Sequence, residues 1–455
     1  MRWTPSQGIT PMQQATLNWW AIVRLGLVQT SLGAIVVLMT STINRVMVVE
    51  VGLPAFVPGL LVASHYVVQI LRPAWGYGSD VGGRRTPWII GGMAMLACGG
   101  TLAAVATALA STHAMAGIAL AFVAFLLIGV GVGAAGTSVL TILATNVAPE
   151  RRAAAATTVW VMMIFGFALT APLAGHFLDP FSNTRLIGVT ATVSGLAFIT
   201  ATLAIAGIER TYSAAASAAP EAKPPFMVAL RQIWLEPQAR RLTIFIFVSM
   251  VAYSAQELII EPYAGVVFAM TPGTTTKLAG IQHGGVLAGM LMVAFIATVI
   301  GGPILGSLRN WTVGGCVASA AMLAMVAASA FAGPDFPLRP VVFLLGLANG
   351  AFAVAAIGTM MSLASAGSTS REGTRIGLWG AAQAIAFGLG GLLGAITVDL
   401  ARHATGDPRF AFALAFLGGS AVFLLSAILA VNISPRARTQ TRDHVDLSSG
   451  KLIDV

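Results

Sequence analysis

Charged residues are scarce in this chain, since Asp, Glu, Lys and Arg together make up 9% of its 455 residues. A soluble globular protein usually carries about a quarter of its residues as charges. Hydrophobic residues reach 57%, and the mean hydropathy is +0.85. This composition excludes a soluble protein of this length and predicts a polytopic membrane protein whose surface contacts the lipid bilayer. The 50 glycines fit helices that pack closely through small residues.

Cysteine is almost absent, and catalytic motifs are missing. Cys98 and Cys316 both lie in apolar runs, where two residues form neither a disulfide framework nor a metal site. There is no Gly-Lys-Ser/Thr phosphate loop, no Asp-Asp-x-x-Asp, no Cys-x-x-Cys and no His-Glu-x-x-His. The glycines of 129–133 lie inside a hydrophobic run without a preceding strand, so we interpret them as helix-packing residues. We therefore predict no enzyme and no direct protein metal site.

Long apolar runs fill most of the sequence. About 20 residues are needed for a helix to cross a bilayer, and twelve runs satisfy this near 25–48, 54–75, 88–110, 115–143, 153–175, 186–208, 242–264, 279–301, 312–332, 340–364, 375–400 and 410–433. The expected fold is an all-α membrane protein of twelve transmembrane helices. We divide it into a six-helix half at 1–208, a cytoplasmic linker at 209–241, a second half at 242–433 and a cytoplasmic tail at 434–455.

The net charge of +9 follows this topology. Lys and Arg are enriched in cytoplasmic loops, so their asymmetry predicts that both termini are cytoplasmic. We therefore expect no nucleic-acid partner. Six basic residues fall on the opposite side or at span ends, which leaves 19 of the 25 on the cytoplasmic side; the six are Arg45, Arg185, Lys277, Arg339, Arg402 and Arg409.

A weak repeat relates the two halves. Paired six-helix halves are typical of transporter folds built by duplication. At an offset of 220 residues, Arg151, Phe167, Leu169, Leu173 and Asp179 meet Arg371, Phe387, Leu389, Leu393 and Asp399.

A glycine-rich turn with opposite charges separates the second and third runs. Its spacing, G-x-x-x-D-x-x-G-R-R, resembles the signature of the major facilitator superfamily, which implies that fold. Glycine permits the backbone angles of a short turn, and the acid can brace the cytoplasmic face without touching a substrate. We predict a structural or gating role for Gly76, Asp80, Gly83, Arg84 and Arg85.

Four charged residues lie at or near span ends. Glu257 and Glu261 share one face of a helix because they are four residues apart, and Pro262 follows them. Charged groups at membrane depth are functional candidates. The alternative is that the acids are solvated at the outer interface or paired with Arg45. Arg45 and Glu50 flank the end of the first run and carry the same two interpretations.

The second run of each half contains one histidine, His65 in the first half and His283 in the second. Neutral imidazole can coordinate the magnesium of a chlorin, whose macrocycle needs a nearly bare helix surface over the preceding turn. Ala279 and Gly280 provide small residues before His283, whereas the bulkier Leu61 precedes His65. His283 is therefore the better candidate ligand for bacteriochlorophyll and His65 the poorer one. Packing or hydrogen bonding is the alternative role for each.

Several longer segments resemble the PucC/LhaA group of this superfamily, also called the bacteriochlorophyll delivery family. They include Asn-Arg-Val-Met-Val-Val-Glu at 44–50, Gln-Ile-Leu-Arg-Pro at 69–73, Arg-Arg-Thr-Pro-Trp-Ile at 84–89 and Glu-Pro-Tyr at 261–263. The resemblance covers essentially all spans and is strongest to the branch labelled bacteriochlorophyll synthase chain. It implies a protein of the bacterial inner, photosynthetic membrane that binds or delivers bacteriochlorophyll and assists light-harvesting complex assembly. Light-harvesting polypeptides and the bacteriochlorophyll synthase are the implied partners.

Two other functions stay open. One is a proton-coupled secondary transporter of a small amphipathic solute, with Glu257 or Glu261 as its proton site. The other is an accessory subunit of bacteriochlorophyll synthase. Prenyl transfer itself needs acids organised around magnesium diphosphate, and the sequence has no such cluster.

Overall fold

A computed structural model describes residues 16–71, 84–148, 151–211, 231, 234–365 and 372–433. Fourteen α-helices are defined within these ranges: α1 (Trp19–Val37), α2 (Asn44–Val49), α3 (Phe56–Val68), α4 (Thr86–Ala110), α5 (Ala114–Asn146), α6 (Arg152–Phe177), α7 (Asn183–Ile205), α8 (Ile208–Thr211), α9 (Pro237–Phe268), α10 (Pro272–Phe295), α11 (Leu308–Ala332), α12 (Leu338–Ser365), α13 (Glu372–Thr405) and α14 (Pro408–Val431). A π-helical segment, Leu38–Ile43, joins α1 to α2, and a second one, Ile296–Ile300, follows α10.

Eleven helices in the described ranges are long and apolar enough to cross a membrane. The continuous helix Trp19–Val49 is one of them. The run expected at 54–75 corresponds to the shorter apolar helix Phe56–Leu71, and the rest of that run lies outside the described residues. The chain is therefore an all-helical, multi-pass membrane protein.

Buried apolar side chains form two clusters. The first draws mainly on residues 17–208, and the second draws on residues 242–433. Three side chains of α10 (Ala279, Val286 and Met290) and Leu258 of α9 belong to the first cluster. The second part of the chain thus inserts α9 and α10 against the first part.

Glycine allows close contact between α4 and α5. Gly92 lies against the backbone of Gly131 and Ala135, and a Cβ on either glycine would meet main-chain atoms of the facing helix. Small residues at such contacts let helix backbones approach in lipid, where apolar burial drives little association. This contact confirms the packing role expected for Gly131.

Two aspartates link the two parts of the chain at one end of the bundle. We call it the Glu50 end, because it contains Glu50 after α2 and the first residues of α3 and α10. Asp399 of α13 accepts hydrogen bonds from the backbone N–H groups of Ala55 (3.0 Å) and Phe56 (2.7 Å), where α3 begins. Asp179, just after α6, accepts from the N–H of Gly273 (3.2 Å) and the hydroxyl of Thr271 (3.1 Å), where α10 begins.

Each aspartate supplies what the facing helix lacks. The first N–H groups of a helix have no partner within it, and the N-terminus carries partial positive charge. A carboxylate accepts hydrogen bonds from these N–H groups, and its negative charge is attracted to the helix N-terminus. Asp179 and Asp399 are also equivalent positions of the 220-residue repeat. The same type of contact therefore occurs twice: an aspartate of the second part caps α3 of the first part, and an aspartate of the first part caps α10 of the second.

Replacing Asp399 or Asp179 by Ala should loosen the Glu50 end. A hydrogen bond to a charged group contributes about 1.5–3 kcal/mol, so local opening should become at least roughly tenfold more frequent. The measurement is maleimide labelling of a cysteine introduced at Thr276, which is fully buried, in a Cys98→Ser, Cys316→Ser background. The exposed Asp335→Ala is the control. Equal labelling rates in all variants would show that the two aspartates do not hold this end closed.

Candidate functional site

Buried polar side chains concentrate where α1 and α2 meet α9 and α10. Arg45, Glu261 and His283 are each 2% exposed, although they lie within helices expected to cross a membrane. Buried polar groups need hydrogen-bond partners, and exceptions call for an explanation. The contacts of these residues therefore define the candidate site.

Pro262 explains one contact between the two parts of the chain. It lies inside α9 and has no backbone N–H, so the carbonyl of Leu258 loses its usual helical donor. The side-chain amide of Asn44 donates to that carbonyl at 2.6 Å. Asn44, noticed in the sequence only as part of a family segment, thus supplies the missing donor from α2.

Arg45 joins both parts of the chain at the Glu50 end. Its Nη1 donates to the carboxylate of Glu50, and its Nη2 donates to the carbonyl of Met270 at 2.7 Å, between α9 and α10. The guanidinium also lies over Gly265, where a Cβ would be 3.1 Å from two of its nitrogens. Arg45 is therefore paired with Glu50, whose carboxylate is partly exposed, and not with Glu257 or Glu261, the two acids for which a pairing with Arg45 was the alternative.

Glu261 is buried close to this pair but does not form a hydrogen bond with Arg45. Ser41 of the π-helical segment and Thr275 of α10 are its polar neighbours, and the Arg45 charge acts on it. Among the described residues, neither carboxylate oxygen of Glu261 has a hydrogen-bond partner of good geometry, and the Ser41 hydroxyl has none either. The expectation of a solvated Glu261 is wrong, because the side chain is 98% buried.

His283 and Glu257 face each other between α10 and α9. The Nε2 atom lies 3.7 Å from a Glu257 oxygen, which is too long for a hydrogen bond. Both ring nitrogens of His283 lack a hydrogen-bond partner among the described residues. The ring of Phe167 from α6 packs on the imidazole at 4.8 Å between centroids.

Two buried amides extend this polar region, and the sequence analysis missed them. Gln256 is 1% exposed and Gln282 is 2% exposed. In the described part of the chain, both amide atoms of Gln256 and the Nε2 of Gln282 have no hydrogen-bond partner. Each immediately precedes a predicted site residue, Glu257 or His283, and that position inside an apolar run was the available signal.

The surface expected to receive a macrocycle is covered by α6. Ala279 is 4% exposed, and a Cβ at Gly280 would collide with the ring of Pro172. The small residues before His283 thus allow α10 to pack on α6 in this conformation. A chlorin could reach the imidazole only after these two helices separate.

His65 has a different environment. Its Nε2 is 2.9 Å from the side-chain nitrogen of Gln69, and its ring contacts the Tyr66 ring edge-on at 4.7 Å. The helix α3 packs against α5 and α13, whereas α10 packs against α6 and α12. The structure therefore places the two histidines at equivalent but separate interfaces.

The charged turn is only partly described, because Gly76, Asp80 and Gly83 lie outside the described residues. Arg84 is exposed, and the guanidinium of Arg85 donates to the Thr145 hydroxyl at 3.2 Å.

Glu209 of α8 holds the end of this turn. It accepts hydrogen bonds from the backbone N–H groups of Arg85 (2.5 Å) and Thr86 (2.9 Å), where α4 begins. Partial burial opposes ionisation of Glu209, but the hydrogen bonds from Thr86 and Arg85 outweigh it and lower its pKa below the ordinary value of 4.5. The sequence analysis did not identify this helix cap.

A Glu209→Gln variant should therefore show a pH-dependent loss of stability. A lowered folded-state pKa adds stability above the ordinary pKa of 4.5, and this stability is lost as the pH falls through the folded-state value. We expect a lower melting temperature than wild type at pH 7 and a shrinking difference toward pH 4 in detergent. Asp335→Asn is the control. A difference that stayed constant across this range would contradict the capping role of the ionised carboxylate.

No group of three or more His, Cys, Asp or Glu side chains able to hold a metal ion occurs within the described ranges. The two acids of α9 have different neighbours, since Glu257 faces His283 and Glu261 faces Ser41 and Thr275. The site therefore combines neutral donors and acceptors with two acids, and it joins both parts of the chain.

Solved transporters share this fold. A bacterial homologue of the human lysosomal transporter Spinster, in an inward-facing and unoccupied conformation, matches with a TM-score of 0.63 and 15% identity over 90% of this chain and 94% of its own. The nucleoside transporter NupG matches with a TM-score of 0.65 and 13% identity over 91% and 98%. At this identity the likeness concerns the major facilitator fold alone.

Relatives by sequence come from phototrophic bacteria. The "Bacteriochlorophyll synthase 44.5 kDa chain" of Rhodobacter capsulatus is 53% identical over 420 residues, which cover 92% of this chain and 96% of the relative. "Protein PucC" of Cereibacter sphaeroides is 29% identical over 386 residues, with 81% of each chain covered. The family described as PUCC protein matches residues 42–438. The chain belongs to the PucC family.

Proposed function

We propose that this protein binds or delivers bacteriochlorophyll and assists light-harvesting complex assembly in a phototrophic bacterium. The observation that carries the proposal is the family match over residues 42–438, together with the strong similarity to a chain named for bacteriochlorophyll synthase. The buried polar region between α1, α2, α9 and α10 supports it, because a hydrophobic pigment with a few polar groups needs such a mixed environment.

His283 is the residue that we propose would hold the magnesium of the cargo. Both of its ring nitrogens lack partners among the described residues, so a lone pair is available. The side-chain amides of Gln256 and Gln282 also have unpartnered N–H groups, which would donate to carbonyl oxygens of the pigment. Since Phe167 and Pro172 cover this face of α10, pigment binding requires α6 to move away from α10. His65 is the second candidate ligand.

We propose a non-catalytic role, although a relative carries the name of a synthase chain. Prenyl transfer requires carboxylates gathered around magnesium diphosphate. The two acids of α9 are instead divided between His283 and the Arg45 region. An accessory role beside the synthase is compatible with this arrangement, and so are contacts with light-harvesting polypeptides. The purified chain, given bacteriochlorophyllide and the prenyl diphosphate, should form no ester; ester formation would establish an enzyme.

The proposed topology has twelve spans, with both termini in the cytoplasm and the protein in the inner, photosynthetic membrane. The excess of Lys and Arg on one side supports it. The two apolar clusters support halves at 1–208 and 242–433 joined by a linker at 209–241.

Bacteriochlorophyll should copurify with the protein from a pigment-producing host, and His283→Ala should reduce the bound pigment. We expect a loss of at least roughly tenfold, because disturbing even an outer-shell partner of a bound metal costs about 10–100-fold in affinity. The measurement is the absorption spectrum per mole of protein. His176→Ala, at an exposed position near the end of α6, is the matched control.

The outcomes separate the function from the ligand. Wild-type protein without pigment, in a detergent that preserves other pigment proteins, would contradict the proposed function. Full pigment in His283→Ala with a loss in His65→Ala would assign the ligand to His65 instead.

A further inference from the structure

Glu261 is the buried acid that the proposed function leaves unused. It is 98% buried and has no hydrogen-bond partner of good geometry among the described residues. Two hydroxyl groups, of Ser41 and Thr275, face its carboxyl group. Ser41 is itself 94% buried, and its hydroxyl lacks a partner in the same described set. The Thr275 hydroxyl already donates to the carbonyl of Pro272 at 3.0 Å, so only its oxygen lone pairs remain for a ligand. The oxygens without partners here, within the described residues, are those of Glu261 and Ser41, and buried atoms of this kind call for an explanation such as a bound ion.

The local charges do not balance. Arg45 is paired with Glu50, and it is the charged group that acts on Glu261 from the neighbouring elements. One positive charge therefore faces two carboxylates. An uncompensated carboxylate is costly in a buried site, so one more positive charge is required there when Glu261 is ionised.

The backbone next to the site is irregular. Ser41 lies in the π-helical segment Leu38–Ile43, where the regular helical bonding pattern changes. Irregular backbone at membrane depth commonly supplies carbonyl oxygens to small cations in transporter folds. Beside it, the hydroxyls of Thr42 and Thr276 form a 3.0 Å hydrogen bond between the first and second parts of the chain.

We propose that a monovalent cation, either a proton or Na⁺, binds at Glu261 with Ser41 and Thr275 as oxygen neighbours. The three residues come from both sides of the interface between α1 and α9–α10. Cation binding therefore stabilises the conformation in which the Glu50 end is closed, by the usual linkage between ligand binding and conformation. This site is separate from His283, so it operates whether or not the protein carries pigment.

The test is the melting temperature of the purified full-length protein in detergent. Wild type, Glu261→Gln and Asp335→Asn are compared at fixed ionic strength, with NaCl replaced stepwise by choline chloride, and between pH 5 and pH 9. Asp335→Asn is the control because it removes an exposed acid from the segment between α11 and α12, outside the candidate site.

For a Na⁺ site, wild type and Asp335→Asn should gain stability saturably with Na⁺, and Glu261→Gln should not respond. For a proton site, Na⁺ should have no effect, and a pH-dependent step present in wild type and Asp335→Asn should vanish in Glu261→Gln. The proposal is overturned if Glu261→Gln keeps the responses of Asp335→Asn, or if wild type responds to neither cation.

Ser41→Ala provides a second test that does not depend on folding of the Glu261 variant. It removes one hydroxyl without removing a hydrogen bond of good geometry. The Na⁺ concentration for half-maximal effect, or the proton concentration at the midpoint, should change roughly fivefold, as expected for one polar contact. An unchanged midpoint for both cations would remove Ser41 from the site and overturn the proposed ligand set.

Discussion

Carboxylates at helix N-termini hold the two parts of this protein together at the Glu50 end. The first N–H groups of α3 and α10 need acceptors, and those acceptors come from the opposite part of the chain, Asp399 for α3 and Asp179 for α10. Because apolar surface gives little preference for protein over lipid, such polar contacts are well suited to select one arrangement of the helices. The polar site beside them depends on that arrangement.

Polar side chains at the interface of α1 and α2 with α9 and α10 fall into two groups. Asn44 replaces the donor that is missing at Pro262, and Arg45 donates hydrogen bonds to both Glu50 and Met270. By contrast, Glu261, Gln256 and His283 of α9 and α10 are buried without hydrogen-bond partners in the part of the chain that the structure describes. The first group joins the helices. The second group contains the residues on which the proposed pigment and cation sites depend.

The helical content and the membrane class could be predicted from composition and from the length of the apolar runs. The repeat between Asp179 and Asp399 was also visible as an offset in the sequence. Its physical role was not visible, because capping joins residues that are 94 and 344 positions apart. Glu209 escaped notice for the same reason, since its partners at the start of α4 lie 124 and 123 positions earlier.

For the candidate site, too, the sequence identified individual residues, and the structure showed how they are arranged. Scarcity of charge was enough to single out Arg45, Glu50, Glu257, Glu261 and His283, because every ionisable group in an apolar run is conspicuous. Which acid faces which partner depended on helix packing. The small residues before His283 illustrate the limit, since Gly280 is equally suited to a macrocycle and to the Pro172 ring that occupies its surface. Sequence periodicity determined that these residues share helices and faces; the relative position of α6, α9 and α10 decided which groups meet, because contacts between distant segments are fixed by packing.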